Sequence, residues 1–282
     1  MKPDSGRPPA SIDAIERAHL KDPGDASHVM HRYPAGPEFA DLLQRFWIPV
    51  WSLPPGTEAP QRVLQYPVSL IVVAHDYARF YGVVSGLSTT TLTGTGWAVG
   101  VMCAPAAGSL LARGSMTRFT DRHVDVREVL GPAGEQLVTR VRSAMVPDPA
   151  DPAAHATAMA AFGDALRPFL PVDEEGLLVN RVVEFVESDR GVVRVSQVCE
   201  EFDLPERALQ RLVHRRLGLT PKWLIQRRRL QEAAERLRTG PVDLAEVAAQ
   251  LGYADQPHLT RDFGQVTGMT PRQFADRHAA GT

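Results

Sequence analysis

The chain has 282 residues, 44% of them hydrophobic, and a formal charge of −2 from 31 basic and 33 acidic side chains. That length holds two domains with proper cores, and a balance so near neutral supplies no overall field to attract nucleic acid, so such binding would rest on local placement of charge. No run approaches 18 apolar residues, the start of the chain lacks a hydrophobic signal core, and Cys103 and Cys199 stand far apart; these features speak against secretion and membrane spanning and predict reduced thiols in a cytoplasmic protein.

Residues 1–30, rich in Pro, Asp, Gly and Ser, are expected to form a loosely docked tail with a short helix at 11–20. From 31 to 146 the pattern turns to strands and turns. Leu42, Leu43, Phe46 and Trp47 mark a short helix or an extended entry segment. Apolar or alternating runs at 62–66, 69–74, 79–84, 96–103 and 109–112, bounded by Pro, Gly or Asp, predict a small antiparallel sheet or barrel. Helices are expected at 125–130 and 134–144.

This half offers little for catalysis. A divalent ion wants three or four convergent ligands, and only His75-Asp76 and His123-Val124-Asp125 bring candidate donors together. Ser85-Gly86-Leu87-Ser88 is not a nucleophile elbow, and no Gly-rich phosphate loop precedes a helix. Cys103 has no flanking His or Arg to activate it as a sensing thiol. No enzyme activity, metal or cofactor is expected. Trp47, Trp51, Tyr66, Phe80, Tyr81 and Trp97 are read as the lining of a pocket for an apolar or aromatic small-molecule effector; the competing reading makes them the core of a small β domain.

Residues 147–176 read as a linker in which prolines bracket an Ala-rich helix at 153–166. Ala158, Phe162, Ala165 and Phe169 lie on one side of it, either as a homodimer seam or as a face packed on the parent domain.

Between Val195 and Pro271 one helix-turn-helix is written twice. The stretch 209–221, ending Gly218-Leu219-Thr220-Pro221, lies over 259–271, ending Gly268-Met269-Thr270-Pro271, at an offset of 50. Upstream, 198–203 lies over 247–252 at an offset of 49, so the second copy has one more residue in its turn. Such a unit presents its second helix to a major groove. Val198, Leu209, Leu212 and Leu217 would form one small core, and Val247, Leu251, Leu259, Phe263 and Val266 the other. Arg207, Gln210, Arg211 and His214 then project from the first recognition helix, and Gln256, His258, Thr260 and Arg261 from the second. Arg forks onto guanine and Gln onto adenine, so the set suits base reading. Residues 177–282 carry 16 basic against 14 acidic side chains, which leaves phosphate affinity to local groups: Arg215, Arg216, Lys222 and the Arg227-Arg228-Arg229 run. A solvated stripe is the alternative for Arg227 and Arg228, and a structural role the alternative for Arg229.

The words Leu209-Gln210-Arg211-Leu212, Gly218-Leu219-Thr220-Pro221, Arg229-Leu230-Gln231-Glu232-Ala233 and the string from Leu251 to Phe263 resemble the double helix-turn-helix domain of AraC/XylS-type transcriptional regulators. The resemblance covers 177–282. It implies seven helices in two subdomains joined by a long helix at 221–238, with Arg207, Gln210 and Arg211 and then Gln256, His258 and Arg261 facing DNA. Pro205 and Pro257 stand where the family commonly has Ser, removing a hydroxyl that would contact phosphate, and Val213 replaces a common Phe. The segment Tyr33-Pro34-Ala35-Gly36-Pro37-Glu38, with Trp47, Trp51 and Gly100-Val101-Met102-Cys103-Ala104-Pro105, is more loosely similar to the sensor-type domain of some of these regulators. The expected fold is therefore α+β, a mostly-β sensor-like domain at 31–146 followed by an all-α double helix-turn-helix domain. The expected partners are double-stranded DNA, an apolar or aromatic effector, a second copy in a homodimer, and RNA polymerase if the protein activates; no membrane is among them. The alternative is a ligand-binding or interaction module whose helical repeat does not bind DNA specifically.

Overall fold

The computed structural model describes residues 18–20, 24–238 and 243–279. Most of the helix expected at 11–20 lies outside them. Strands β1 (His28–Pro34), β2 (Leu43–Ser52), β4 (Leu70–Ala74), β5 (Ala78–Tyr81), β7 (Thr95–Cys103) and β8 (His123–Asp125) form one antiparallel sheet in the order β1-β2-β7-β4-β5-β8. β3 (Glu58–Val63) and β6 (Ser88–Thr93) pair as a separate ribbon.

Strand β7 gives the sheet two unlike faces, because side chains alternate along a strand. Trp97, Val99, Val101 and Cys103 enter a large core shared with helices, whereas Gly96, Ala98 and Gly100 leave the opposite face low. Trp47 fills the space over Gly100, where an added Cβ would lie 2.3 Å from the indole, and Trp51 does the same at Gly96.

Of the two alternatives for 42–47 the extended one holds, since Leu43–Trp47 lie in β2; one expected element differs, as 109–112 fall in helix α1 (Ala107–Leu111) and its end rather than in a strand. Ala, Gly, Ser and Leu from 106 to 112 include no β-branched residue, so nothing there favours the pleat. β1 and β6 went unforeseen; β6 is largely Ser and Thr, so it has few apolar residues to alternate.

Helix α2 (Val126–Leu130) begins with a capping box in which Asp125 accepts from the Arg127 N–H at 2.8 Å and Glu128 accepts from the Asp125 N–H at 3.2 Å. Helices α3 (Pro132–Met145) and α4 (Pro152–Leu166) cover the sheet. Residues 152–166, expected as part of a linker, are thus built into the core. Ala158 and Phe162 are fully buried, with the Phe162 ring edge-on to Phe46 at 5.6 Å, and Phe169 packs beside them. Of the two readings of Ala158, Phe162 and Ala165, the face packed on the parent domain holds and the homodimer seam does not.

Seven helices follow among the described residues: α5 (Glu174–Ser188), α6 (Val195–Glu201), α7 (Glu206–Leu217), α8 (Pro221–Arg238), α9 (Leu244–Gln250), α10 (Gln256–Thr267) and α11 (Pro271–Ala279). The large core runs without a break from Phe39 through the sheet to Val198, Leu209, Val213 and Ile225 of the first helix-turn-helix. A second core holds Leu230, Val247, Leu251, Leu259, Phe263 and Phe274, and with them Leu20 and Leu64 from the β-rich half. Asn180 on α5 stitches the halves again, accepting from the Ala106 N–H and donating to the Asp41 carbonyl, each at 2.8 Å.

Candidate nucleic-acid interface and cavity

The two helix-turn-helix units are α6–α7 and α9–α10. Their turns span 202–205 and 251–255, the one-residue difference expected from the offsets. Asp203 and Gly252 occupy the same place in the turn, both left-handed at φ 47° and 71°. A Cβ at 252 would sit 2.9 Å from Val193, so the second copy has a steric use for its glycine. Both recognition helices end on a left-handed glycine, Gly218 at φ 75° and Gly268 at φ 76°. Both following helices start with Thr-Pro: Thr220 accepts from the Trp223 N–H and Thr270 from the Gln273 N–H, each at 3.2 Å, with Pro at the first helical position. Asp243 caps α9 by accepting from the Ala245 N–H at 2.8 Å, and Glu246 accepts from Gln250 at 2.8 Å.

On α7, Arg207, Gln210, Arg211 and His214 are all exposed at i, i+3, i+4 and i+7, one stripe of the helix. Gln210 rests on Glu206 at 2.9 Å. On α10, Gln256, His258 and Arg261 are exposed and Thr260 is half-buried; Lys222 is exposed at the start of α8. Asp255 caps α10 by accepting from the His258 N–H at 2.8 Å, whereas Pro205 gives α7 no side-chain cap. Gln226 on α8 holds Asp262 of α10 at 2.8 Å, and the Tyr253 ring, its hydroxyl pushed up to about 12 by burial, stands edge-on to His258 at 5.2 Å.

The other basic candidates are used inside the molecule. Arg216 is buried, donating to Ser109 Oγ and Glu175 Oε2 at 3.0 Å and to Asp173; Arg215 pairs with Glu175. Arg227 is buried against the Trp223 ring, bonds the Ser85 carbonyl and, at 3.0 Å, that of Gly86, and is pushed down to about 10 by burial. Arg228 reaches Glu232 at 3.1 Å and the Val192 carbonyl at 2.6 Å. Arg229 lies 3.7 Å over the Tyr253 ring. Arg216 and the 227–229 run therefore hold elements together, which corrects the expectation that Arg216, Arg227 and Arg228 serve phosphate and bears out the structural alternative for Arg229. For Arg227 the distinguishing signal is helical spacing, since Trp223, Arg227, Gln231 and Arg238 share the side of α8 turned to the β-rich half.

A cavity of about 310 Å³ lies between the β3–β6 ribbon and the low face of the sheet. Trp47, Trp51, Tyr66 and Tyr81 line it as expected. Phe80 and Trp97 do not: they point to the opposite face, into the large core, because they alternate with Tyr81 and Ala98. Trp51 is fixed by its indole N–H on the Thr93 carbonyl at 3.1 Å. Gln65 also lines the cavity, donating to Ser88 Oγ at 3.1 Å while its Oε1 has no donor; sequence reading missed it because a polar residue at a strand end carries no periodic signal. His75 and Asp76 stand 3.6 Å apart at the rim, and among the described residues no group of three or more His, Cys, Asp or Glu is placed to hold a metal. No described helix is long and apolar enough to cross a membrane.

A family described as "Helix-turn-helix domain" matches residues 198–277, and a domain of unknown function matches 31–125. The chain is 30% identical over 83 residues to the HTH-type transcriptional activator RhaS of Pectobacterium atrosepticum, covering 29% of each chain. It is 34% identical over 84 residues to the HTH-type transcriptional regulator VirS of Mycobacterium tuberculosis, covering 30% of this chain and 24% of that one. The matches thus span less than a third of those relatives' length. Among solved structures, ToxT of Vibrio cholerae O395 aligns over 82% of this chain and 97% of its own at 12% identity and a TM-score of 0.41. The C-terminal domain of AraT, a response regulator from Geobacillus stearothermophilus, aligns over 37% and 88% at 22% identity and a TM-score of 0.33. The doubled unit at 198–277 is thus similar to a helix-turn-helix domain family and to the corresponding parts of HTH-type transcriptional regulators.

Proposed function

We propose that the protein is a sequence-specific DNA-binding transcriptional regulator governed by a small molecule held in the cavity of its β-rich domain. The observation that carries the first part is the pair of exposed stripes on α7 and α10, with Arg211 and Arg261 at equivalent places in the repeat. Two recognition helices entering successive major grooves on one side of DNA need a separation of roughly 34 Å, and α8 sets it. Arg207, Gln210, Arg211, Gln256, His258, Thr260 and Arg261 then read bases or position the backbone, with His214 and Lys222 at the phosphates. The aromatic walls around Gln65 support an apolar or aromatic effector. No enzyme activity is part of this reading, and a homodimer and contacts to RNA polymerase belong to the same proposal.

The test is selection of bound genomic fragments by the purified full-length protein at moderate salt, beside Arg261→Ala. A motif of two boxes about one turn apart, weakened in the variant, is the expected result. Equal retention of all sequences by both proteins would favour the alternative of a ligand-binding or interaction module.

A further inference from the structure

Three short segments form one layer with the cavity on one side and the second helix-turn-helix on the other. At 63–65, Val63 and Gln65 line the cavity, while Leu64 is fully buried in the second core and its carbonyl accepts from Gln231 of α8 at 2.7 Å. At 18–20, Ala18 and His19 line the cavity, while Leu20 enters that core and the His19 carbonyl accepts from Arg238 at 2.6 Å. At 85–88, Ser88 lines the cavity, Leu87 packs on the core, and the Ser85 and Gly86 carbonyls take Trp223 and Arg227. The layer is one residue thick: neighbouring side chains along each segment serve opposite sides.

We infer that the cavity's occupant is read directly by α8 and the second helix-turn-helix through this shared layer, and that the occupant is an aromatic compound bearing a hydrogen-bond donor, which meets Gln65 Oε1. This inference rests on the proposal that the cavity binds a small molecule. The donor requirement follows from Gln65: one of its two amide N–H bonds is held by Ser88 and its buried oxygen has no donor, so an incoming hydroxyl completes the oxygen. Satisfying Gln65 and filling the space beside Val63 and Ser88 stiffens the segments on which Leu64, Leu87 and four α8 side chains are seated. A packed interior passes such a change to its neighbours because it does not deform continuously. Since α8 joins the two recognition helices, the state of the cavity sets how firmly their separation is held.

The experiment uses full-length protein and naphthol as probe, with methoxynaphthalene, which lacks the donor, as control. Hydrogen exchange is followed in peptides covering 45–52, 88–93, 221–238 and 244–267. The expected result is slowing in all four regions with naphthol, by about fivefold or more in 221–238 and 244–267, and naphthol binding roughly tenfold tighter than the control. Gln65→Leu is expected to erase that preference while leaving the unliganded fold unchanged. Slowing at 45–52 and 88–93 with no change at 221–238 and 244–267 would overturn the coupling and leave the cavity reading standing. No slowing in any region at saturating naphthol would refute the cavity reading, and the coupling with it.

Discussion

Leu64→Ala tests whether the β-rich half completes the core of the second helix-turn-helix. Leu64 is fully buried beside Leu230, Ala234 and Leu259, although it follows a strand of the other half of the chain. Its backbone is doubly held, the N–H on the Ala18 carbonyl and the C=O by Gln231, each at 2.7 Å, and alanine keeps both bonds. The substitution therefore isolates the side chain. Truncating a fully buried Leu costs about 2–5 kcal/mol, the transfer term plus a cavity that its neighbours only partly close. Val63→Ala, half-buried on the cavity side of the same layer, serves as control at about 1 kcal/mol. Urea denaturation gives the size of the loss, and hydrogen exchange gives its place, expected in 244–267 and the last two turns of α8. A loss no larger than that of the control, or one confined to the strands, would mean that the second unit closes its core without the β-rich half.

Arg261→Ala is expected to cost about 1–3 kcal/mol on the selected DNA site and to relax its sequence preference, read by binding titration; an equal loss on random DNA would assign Arg261 to phosphate. Arg207→Ala is expected to act the same way on the other box. Asp173 is partly buried, which opposes ionisation, but the hydrogen bond and charge of Arg216 prevail and hold it below the ordinary carboxylate value of 3.8. A carboxylate depressed on folding stabilises above its unfolded pKa and loses that contribution as pH falls through the folded one. Wild type should therefore exceed Asp173→Asn in stability at neutral pH, with the gap closing only below about pH 4; a gap constant down to pH 2 would refute the ion pair's role. Burial pushes the Cys103 thiol up to about 12, so iodoacetamide at pH 8 should label half-buried Cys199 first and reach Cys103 only with unfolding, as followed by peptide mass.

The doubled unit was legible because repetition fixes register independently of residue type: turns, left-handed glycines and Thr-Pro starts all fall where the offsets of 49 and 50 put them. The exposed stripes followed from helical spacing. The arginines at 216, 227 and 228 were misassigned because a guanidinium looks the same in a sequence whether it meets a phosphate or, as Arg227 does, a carbonyl from residue 85, more than 140 positions away. Trp97 and Phe80 could have been placed from alternation, since Gly96, Ala98 and Gly100 mark the low face. Helix α4 read as a linker because prolines at its ends signal a boundary, yet its Ala-rich face is what lets it lie close against the sheet. The shared layer was beyond sequence reading, as its three segments are brought together only by the fold.

The two glycines that end the recognition helices have nearly the same backbone but different neighbours. A Cβ at Gly268 would meet nothing within 4 Å, whereas at Gly218 it would lie 2.2 Å from Thr120 Oγ1 and 2.9 Å from the Met116 carbonyl. Thr120 also donates to the Gly218 carbonyl at 3.1 Å. The same place in the repeat thus carries two unequal burdens. At 268 only the left-handed turn must be satisfied, and Asn can do that; at 218 the same residue also serves as a bearing surface for the neighbouring domain, and only glycine fits. The two copies are therefore not exchangeable, and a chimaera that repeats the second unit in both places is expected to lose its seat on the β-rich half.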